Sequence, residues 1–385
     1  MRTRWLRLVF ACFVALSCLE AHAGIHFFGI GFDWNSIELP ESLVSPAPLR
    51  GHYVAYRALE AFEQGISFES ANVRSKTITN DPRTTDDVLL DTWDAFLQIN
   101  YNAHVPNTYE HVPNLSSDDT LILYLASHGD FMDYTNNSGI TSEYWEKVNV
   151  LVTQDREGPT EERYGVSYLL ETPAFGGWGF LGFSSTDALY WLGNVDDLTG
   201  PQSPEWLTEV NWSRTILFVD ACRSGNFASI TKFANTSLAV VTASDAAGFS
   251  LHDGTWSMMA YGIEYGLNRN AKGEYRADQA ATGNKDGSVS LRELTDYINE
   301  GNVFAQFEGQ EFSLGVDLSG PLMGQTIPFD GVNLTVAATD SFDLDAPIAG
   351  PLGDNPPVPE PTSFVLWSAL GVMGIIASRR RKRAA

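Results

Sequence analysis

Along the chain, short unbroken apolar runs alternate with stretches whose apolar positions recur every three or four residues. That alternation predicts an α/β fold with a mostly parallel central sheet flanked by helices, in three αβα layers. The runs Ile25 to Gly31, Thr120 to Ala126, Thr215 to Val219 (running into Asp220) and Leu238 to Thr242 predict buried strands. A strand covered on both faces shows water no polar side, so its sequence reads as continuous apolar residues. Helical spacing marks Gly51 to Gln64, with Tyr53, Tyr56, Leu59 and Phe62 on one face, and a segment from Thr85 that holds Val88, Leu89, Trp93 and Phe96. Two further helices are expected near Ser184 to Leu192 and from about Thr255 to Leu267. Residues 131–185 show no clear period and read as an insertion near a functional edge. Residues 315–357 are rich in Gly, Pro and Asp and read as a linker, with Val332 to Val336 a candidate isolated strand.

The two ends carry their own signals. Arg2, Arg4 and Arg7 precede the apolar stretch Leu8 to Leu19, and Ala21-His22-Ala23 offers small residues at the spacing a signal peptidase reads. Residues 1–23 therefore read as a secretory leader. A lipoprotein box ending at Cys18 is the alternative, but Ala15 and Leu16 are poor residues for it. At the far end, Val358-Pro359-Glu360-Pro361 precedes an apolar body from Phe364 to Ala377 and the cluster Arg379-Arg380-Arg381-Lys382-Arg383. An apolar segment of this size sits at the short limit of the roughly 17–25 residues of a membrane span, with its basic end cytoplasmic. This tripartite segment, residues 358–385, resembles the PEP-CTERM sorting signal. The resemblance implies processing by an exosortase-type enzyme and a place at the cell surface, outer membrane or extracellular matrix of a Gram-negative bacterium after transient inner-membrane anchoring. A plain C-terminal anchor is the alternative, and both put the main domain outside the cytoplasm.

These ends change the charge and the cysteine count. The chain carries a net charge of -24, and removal of both ends takes away eight basic and two acidic residues, leaving a body near -30. So acidic a body makes nucleic acid and anionic membrane surfaces poor partners. Of the three cysteines, Cys12 and Cys18 leave with the leader, so Cys222 is the one thiol of the mature protein. A lone thiol in an oxidising compartment is a liability, and chemistry is a reason to keep it.

Cys222 stands in Asp220-Ala221-Cys222-Arg223-Ser224-Gly225 at the end of one predicted strand, and His128 stands in Ser127-His128-Gly129 at the end of another. Parallel strands deliver their carboxyl ends to one edge, where such folds place ligands. A thiol that shares that edge with an imidazole can attack an amide carbonyl while the histidine moves the proton. The N–H groups of Gly129 and Cys222 are candidates for the oxyanion hole.

This pairing of a strand-His-Gly element with a strand-Asp-Ala-Cys-x-Ser-Gly element resembles the caspase-like cysteine peptidases, the group of caspases, metacaspases and legumains. The resemblance spans residues 24–314 and implies a caspase-like fold and cleavage of a protein or peptide substrate through an acyl-enzyme. It further implies Cys222 as nucleophile, His128 as its proton-transferring partner and Asp220 as a structural residue. Arg50, Ser244, Asp245 and Asp253 fall where the family lines its substrate pocket. A transpeptidase of the same fold and a catalytically silent surface or matrix binding protein are the alternatives.

No cofactor is expected. His26, His52, His104, His111 and His252 have no metal-ligand spacing among themselves, and without a second mature cysteine a structural zinc site is not expected. One calcium-loop pattern places oxygens at Asn284, Asp286, Ser290 and Glu293, with Thr282 where the first aspartate belongs. In the caspase-like family a similar segment makes a turn that caps a helix, and Ser290 with Glu293 forms a capping box.

Overall fold

The computed structural model describes residues 23–34, 49–78, 92–133, 165–172, 181–194, 209–245, 250, 257–301, 311–313, 326–328 and 334–350. The leader, the start expected for the second helix, most of 131–180, Asp253 and the sorting segment lie outside these residues. Among the described residues no helix is long and apolar enough to cross a membrane.

The described chain is α/β, with a mostly parallel central sheet between layers of helices. The strands of its first half are β1 (Ile25–Trp34), β2 (Leu49–Arg50), β3 (Ser70–Ile78), β4 (Thr120–Ala126), β5 (Gly129–Asp133), β6 (Gly165–Thr172) and β7 (Leu181–Ser184). Those of its second half are β8 (Arg214–Asp220), β9 (Leu238–Thr242), β10 (Val289–Ser290), β11 (Glu311–Ser313), β12 (Thr326–Pro328), β13 (Thr335–Ala338) and β14 (Pro347–Ala349). The helices are α1 (Gly51–Glu63), α2 (Thr92–His104), α3 (Ser185–Leu192), α4 (Met258–Leu267), α5 (Arg276–Gln279) and α6 (Leu291–Asn299), with a 3-10 helix at Ser224–Lys232.

Across the central sheet the order is β13-β9-β8-β4-β1-β3, with β2 pairing antiparallel to the carboxyl end of β1. The pairs β9–β8, β8–β4, β4–β1 and β1–β3 are parallel, and β13 is antiparallel to β9. Every residue of β4 is buried, as expected for a central strand with helices on both faces. Helix α1 lies against β1 and packs with α4, whose other side takes α6. On the other side, α2 meets α3 and the 3-10 helix meets α3 and β9, with Phe96, Phe183 and Phe227 stacked in series.

The structure departs from the sequence reading in four places. The buried stripe of α1 is Val54, Ala55, Ala58, Leu59 and Phe62, whereas Tyr53 and Tyr56 are exposed. The small residues let the helix approach the sheet, where a Cβ on Gly31 would lie 2.2 Å from the Gly51 backbone. Strand β3 carries charged and polar residues and has a mostly half-buried pattern, so it lacks the apolar run by which the other parallel strands are read. The presumed insertion contains β5, β6 and β7, an antiparallel sheet that starts directly after His128. The presumed linker returns to the domain: β13 closes one edge of the central sheet and β14 pairs with β10.

Candidate active site

The register between β4 and β8 fixes the site. Ala126 pairs with Asp220, and His128 and Cys222 each stand two residues beyond that pair on adjacent parallel strands. The Ser127 N–H donates to the Asp220 carbonyl at 3.3 Å, so the two chains stay together past the last paired position. Both side chains are buried. Gly129 is packed so tightly that a Cβ there would lie 2.0 Å from the Cys222 carbonyl oxygen and 2.9 Å from the Ala221 Cβ.

Each strand end is braced from its neighbour. On the β4 side, the Trp34 indole N–H donates to the Ser127 hydroxyl at 3.0 Å, and the Trp34 ring meets the His128 ring edge-on at 5.4 Å. Strand β1 thereby orients the histidine. On the β8 side, Arg223 follows the cysteine in left-handed conformation (φ 53) and opens the 3-10 helix. That turn is held by Ser167 of β6, whose hydroxyl donates to the Arg223 carbonyl and accepts from the Asn226 N–H. A left-handed residue other than glycine costs roughly 1–3 kcal/mol and persists where surrounding contacts over-determine it.

Asp220 is the hub beneath the thiol. Its carboxylate accepts hydrogen bonds from the hydroxyls of Tyr124 (2.5 Å), Ser250 (2.8 Å) and Ser257. Burial raises its carboxyl above the ordinary aspartate range, against the lowering effect of the three hydroxyl donors. Burial, together with the Asp220 charge, raises the Tyr124 phenol well above its usual value. Ser250 is also tied to the nucleophile: the Cys222 thiol points to its carbonyl oxygen at 3.6 Å. Ser257 caps α4 by accepting from the Ala260 N–H, so the same hydroxyl links Asp220 to the helix behind it.

Of the expected pocket residues, Arg50, Ser244 and Asp245 lie along the same carboxyl edge, on either side of the cysteine and histidine, and Asp253 falls outside the described residues. Arg50 is exposed beside β1, with its guanidinium 5.7 Å from the Tyr53 ring centroid. Beside it, His52 Nδ1 lies 2.5 Å from Asp33 Oδ2. Ser244 and Asp245 follow β9, beyond β8. Ser244 is buried and acts as a brace: its hydroxyl donates to the Ala221 carbonyl and accepts from the Ser224 N–H, both at 3.3 Å. Asp245 is exposed.

The segment with the calcium-loop pattern forms a closed turn far along the chain from this edge. Glu293 accepts from the N–H groups of Asn284 (2.7 Å) and Ser290 (2.9 Å), and Asp286 accepts from the Ser288 N–H at 2.8 Å. Gly287 takes the left-handed conformation that the turn requires. These oxygens serve the backbone of the loop and the start of α6.

Sequence reasoning missed Trp34, Ser167, Ser250 and Ser257. Each is distant in sequence from the group it orients, and no motif surrounds it.

No protein-family model matches the sequence, and no curated protein does. Among solved structures, a crystal structure of a protein from Geobacter sulfurreducens is similar at 11% identity and a TM-score of 0.34, over 82% of this chain and 94% of that one.

Proposed function

We propose that this protein is an exported cysteine endopeptidase of the caspase-like type, with Cys222 as nucleophile and His128 as the group that moves the proton. The observation that carries the reading is the β4–β8 register, which brings the His-Gly and Asp-Ala-Cys elements to adjacent positions at one sheet edge. As the sulfur attacks a substrate carbonyl, the thiol proton passes to His128, the C–S bond forms and the carbonyl π bond opens to a tetrahedral oxyanion. Collapse of that oxyanion expels the amine, which takes its proton from His128, and water then hydrolyses the thioester. The N–H groups of Gly129 and Cys222 are assigned to the oxyanion. Arg50, Asp245 and Asp253 are assigned to substrate side-chain recognition, and Ser244 to bracing the turn. Export and surface sorting rest on the leader at 1–23 and the segment at 358–385.

The deciding experiment incubates the purified protein with a peptide library beside its Cys222→Ala variant, with acyloxymethyl ketone labelling in parallel. Hydrolysis and labelling that both vanish in the variant support the reading. Hydrolysis that survives the substitution, or the absence of both activities in the parent protein, overturns it. Added amine nucleophiles in the same assay separate hydrolysis from acyl transfer.

A further inference from the structure

The opposite end of the central sheet carries a second cluster of reactive side chains. Among the described residues, His26, Glu69 and Asp119 form a set whose ligand-type atoms all lie within 4.8 Å of one another. They come from three separate places: the start of β1, the residue before β3, and the residue before β4. The His26 Nε2 lies 3.3 Å from Asp119 Oδ2 and 3.9 Å from Glu69 Oε2. Nine residue steps run along the chain from Asp119 to His128, so the two sites are about 30 Å apart at roughly 3.3 Å per residue.

We infer that this cluster is a divalent metal site, best suited to Zn2+, with His26, Glu69 and Asp119 as protein ligands and water in the fourth position. His26 is 3% exposed, and its Nε2 is buried without a hydrogen-bond partner although two carboxylates face it. The ring is already oriented, since its Nδ1 shares a 2.8 Å hydrogen bond with the Ser70 hydroxyl. A second bond of this kind on a ligating imidazole fixes which nitrogen meets the metal. Asp119 is held as firmly, accepting from the Gly24 N–H at 2.7 Å and the Ser116 N–H at 2.6 Å. Glu69 is two-thirds exposed and sits at the rim.

Spacing and shape agree with a cation. Tetrahedral zinc bonds of about 2.0 Å to nitrogen and oxygen place neighbouring donors about 3.3 Å apart, the His26–Asp119 separation. The space between the donors borders Gly24: a Cβ there would lie 2.2 Å from Glu69 Oε2, 2.8 Å from His26 Nε2 and 3.2 Å from Asp119 Oδ1. Glycine leaves that space open. One imidazole and two carboxylates form a borderline nitrogen and oxygen set that suits zinc, and their two negative charges balance the ion. The bound metal joins the amino ends of three neighbouring strands, so its effect is on stability.

The test uses the full chain carrying Cys12→Ala, Cys18→Ala and Cys222→Ala, so that no thiol competes for metal. After chelator treatment, Zn2+ is titrated against a chromophoric chelator, and thermal unfolding is followed by circular dichroism with and without Zn2+. One equivalent of Zn2+ and a metal-dependent rise in melting temperature are expected. Glu69→Gln, at the exposed rim, should weaken binding at least tenfold and shrink the thermal shift. Gly24→Ala should abolish binding while every donor remains. Absence of stoichiometric binding overturns the inference, as does binding unchanged by Glu69→Gln. A His26 ring that titrates by NMR as an imidazolium paired with Asp119, with no zinc taken up, also overturns it.

Discussion

Gly129 and the carbonyl of Cys222 are in such close approach that no side chain fits between them: a Cβ on the glycine would lie 2.0 Å from that oxygen. The contact ties the residue after the histidine to the residue bearing the sulfur. Gly129→Ala must therefore separate the strand ends of β4 and β8 at this edge. A loss of at least a hundredfold in peptide hydrolysis is expected, with about 1–3 kcal/mol of stability lost to overpacking. Steady-state kinetics and urea unfolding of the same preparation read both.

Trp34 tests whether the histidine needs orienting. Trp34→Phe keeps an aromatic ring beside His128 and removes the N–H that donates to Ser127. Loss of one such hydrogen bond costs about 1 kcal/mol. A fall of about tenfold in kcat/KM is expected if about 1.4 kcal/mol of transition-state stabilisation depends on the ring position. A drop in melting temperature with kcat/KM unchanged would make Trp34 a packing residue alone.

Asp220 gives the stability of the protein a pH dependence. Its carboxyl is raised above the ordinary value by burial, so between the unfolded and folded pKa values the native state holds more protons than the unfolded chain. Its contribution is fully present below the unfolded value and is lost as pH rises through the folded one. Asp220→Asn keeps the shape and removes the titration, and the hydroxyls of Tyr124, Ser250 and Ser257 can rotate to suit it. The expected result is a flatter stability profile above pH 4 with little loss at low pH. Asp220→Ala leaves three buried hydroxyls without their acceptor and should cost about 2–4 kcal/mol. Urea midpoints measured from pH 4 to 8 compare the three proteins.

Glu293 carries both ends of the turn before α6, with one carboxylate oxygen on the Asn284 N–H and the other on Ser290. Glu293→Ala should destabilise by about 1–3 kcal/mol, since two N–H groups lose their acceptor. Peptide hydrolysis at a temperature where the variant stays folded should be unchanged.

The parts legible in the sequence were those with a local signature. Unbroken apolar runs mark β1, β4, β8 and β9 because these strands are buried on both faces. The position of His128 and Cys222 at two strand ends follows from where those runs stop. Strand β3 has no such run: its nine residues mix polar, small and two charged side chains, Arg74 and Lys76, in a mostly half-buried strand, a pattern that a loop shares. Strand β13 is four half-buried residues inside a Pro- and Gly-rich region. Its strand character comes from pairing with β9.

By itself, the sequence determined the α/β class, the four central parallel strands and the positions of His128 and Cys222 at two strand ends, because each is written in neighbouring residues. Only the tertiary structure decided what holds those side chains. Trp34 reaches Ser127 across 93 positions, and Ser250 reaches Asp220 across 30. The same holds for the set of His26, Glu69 and Asp119, which span nearly a hundred residues and meet because β1, β3 and β4 start side by side. Strand pairing sets these distances, and pairing is a property of the folded chain.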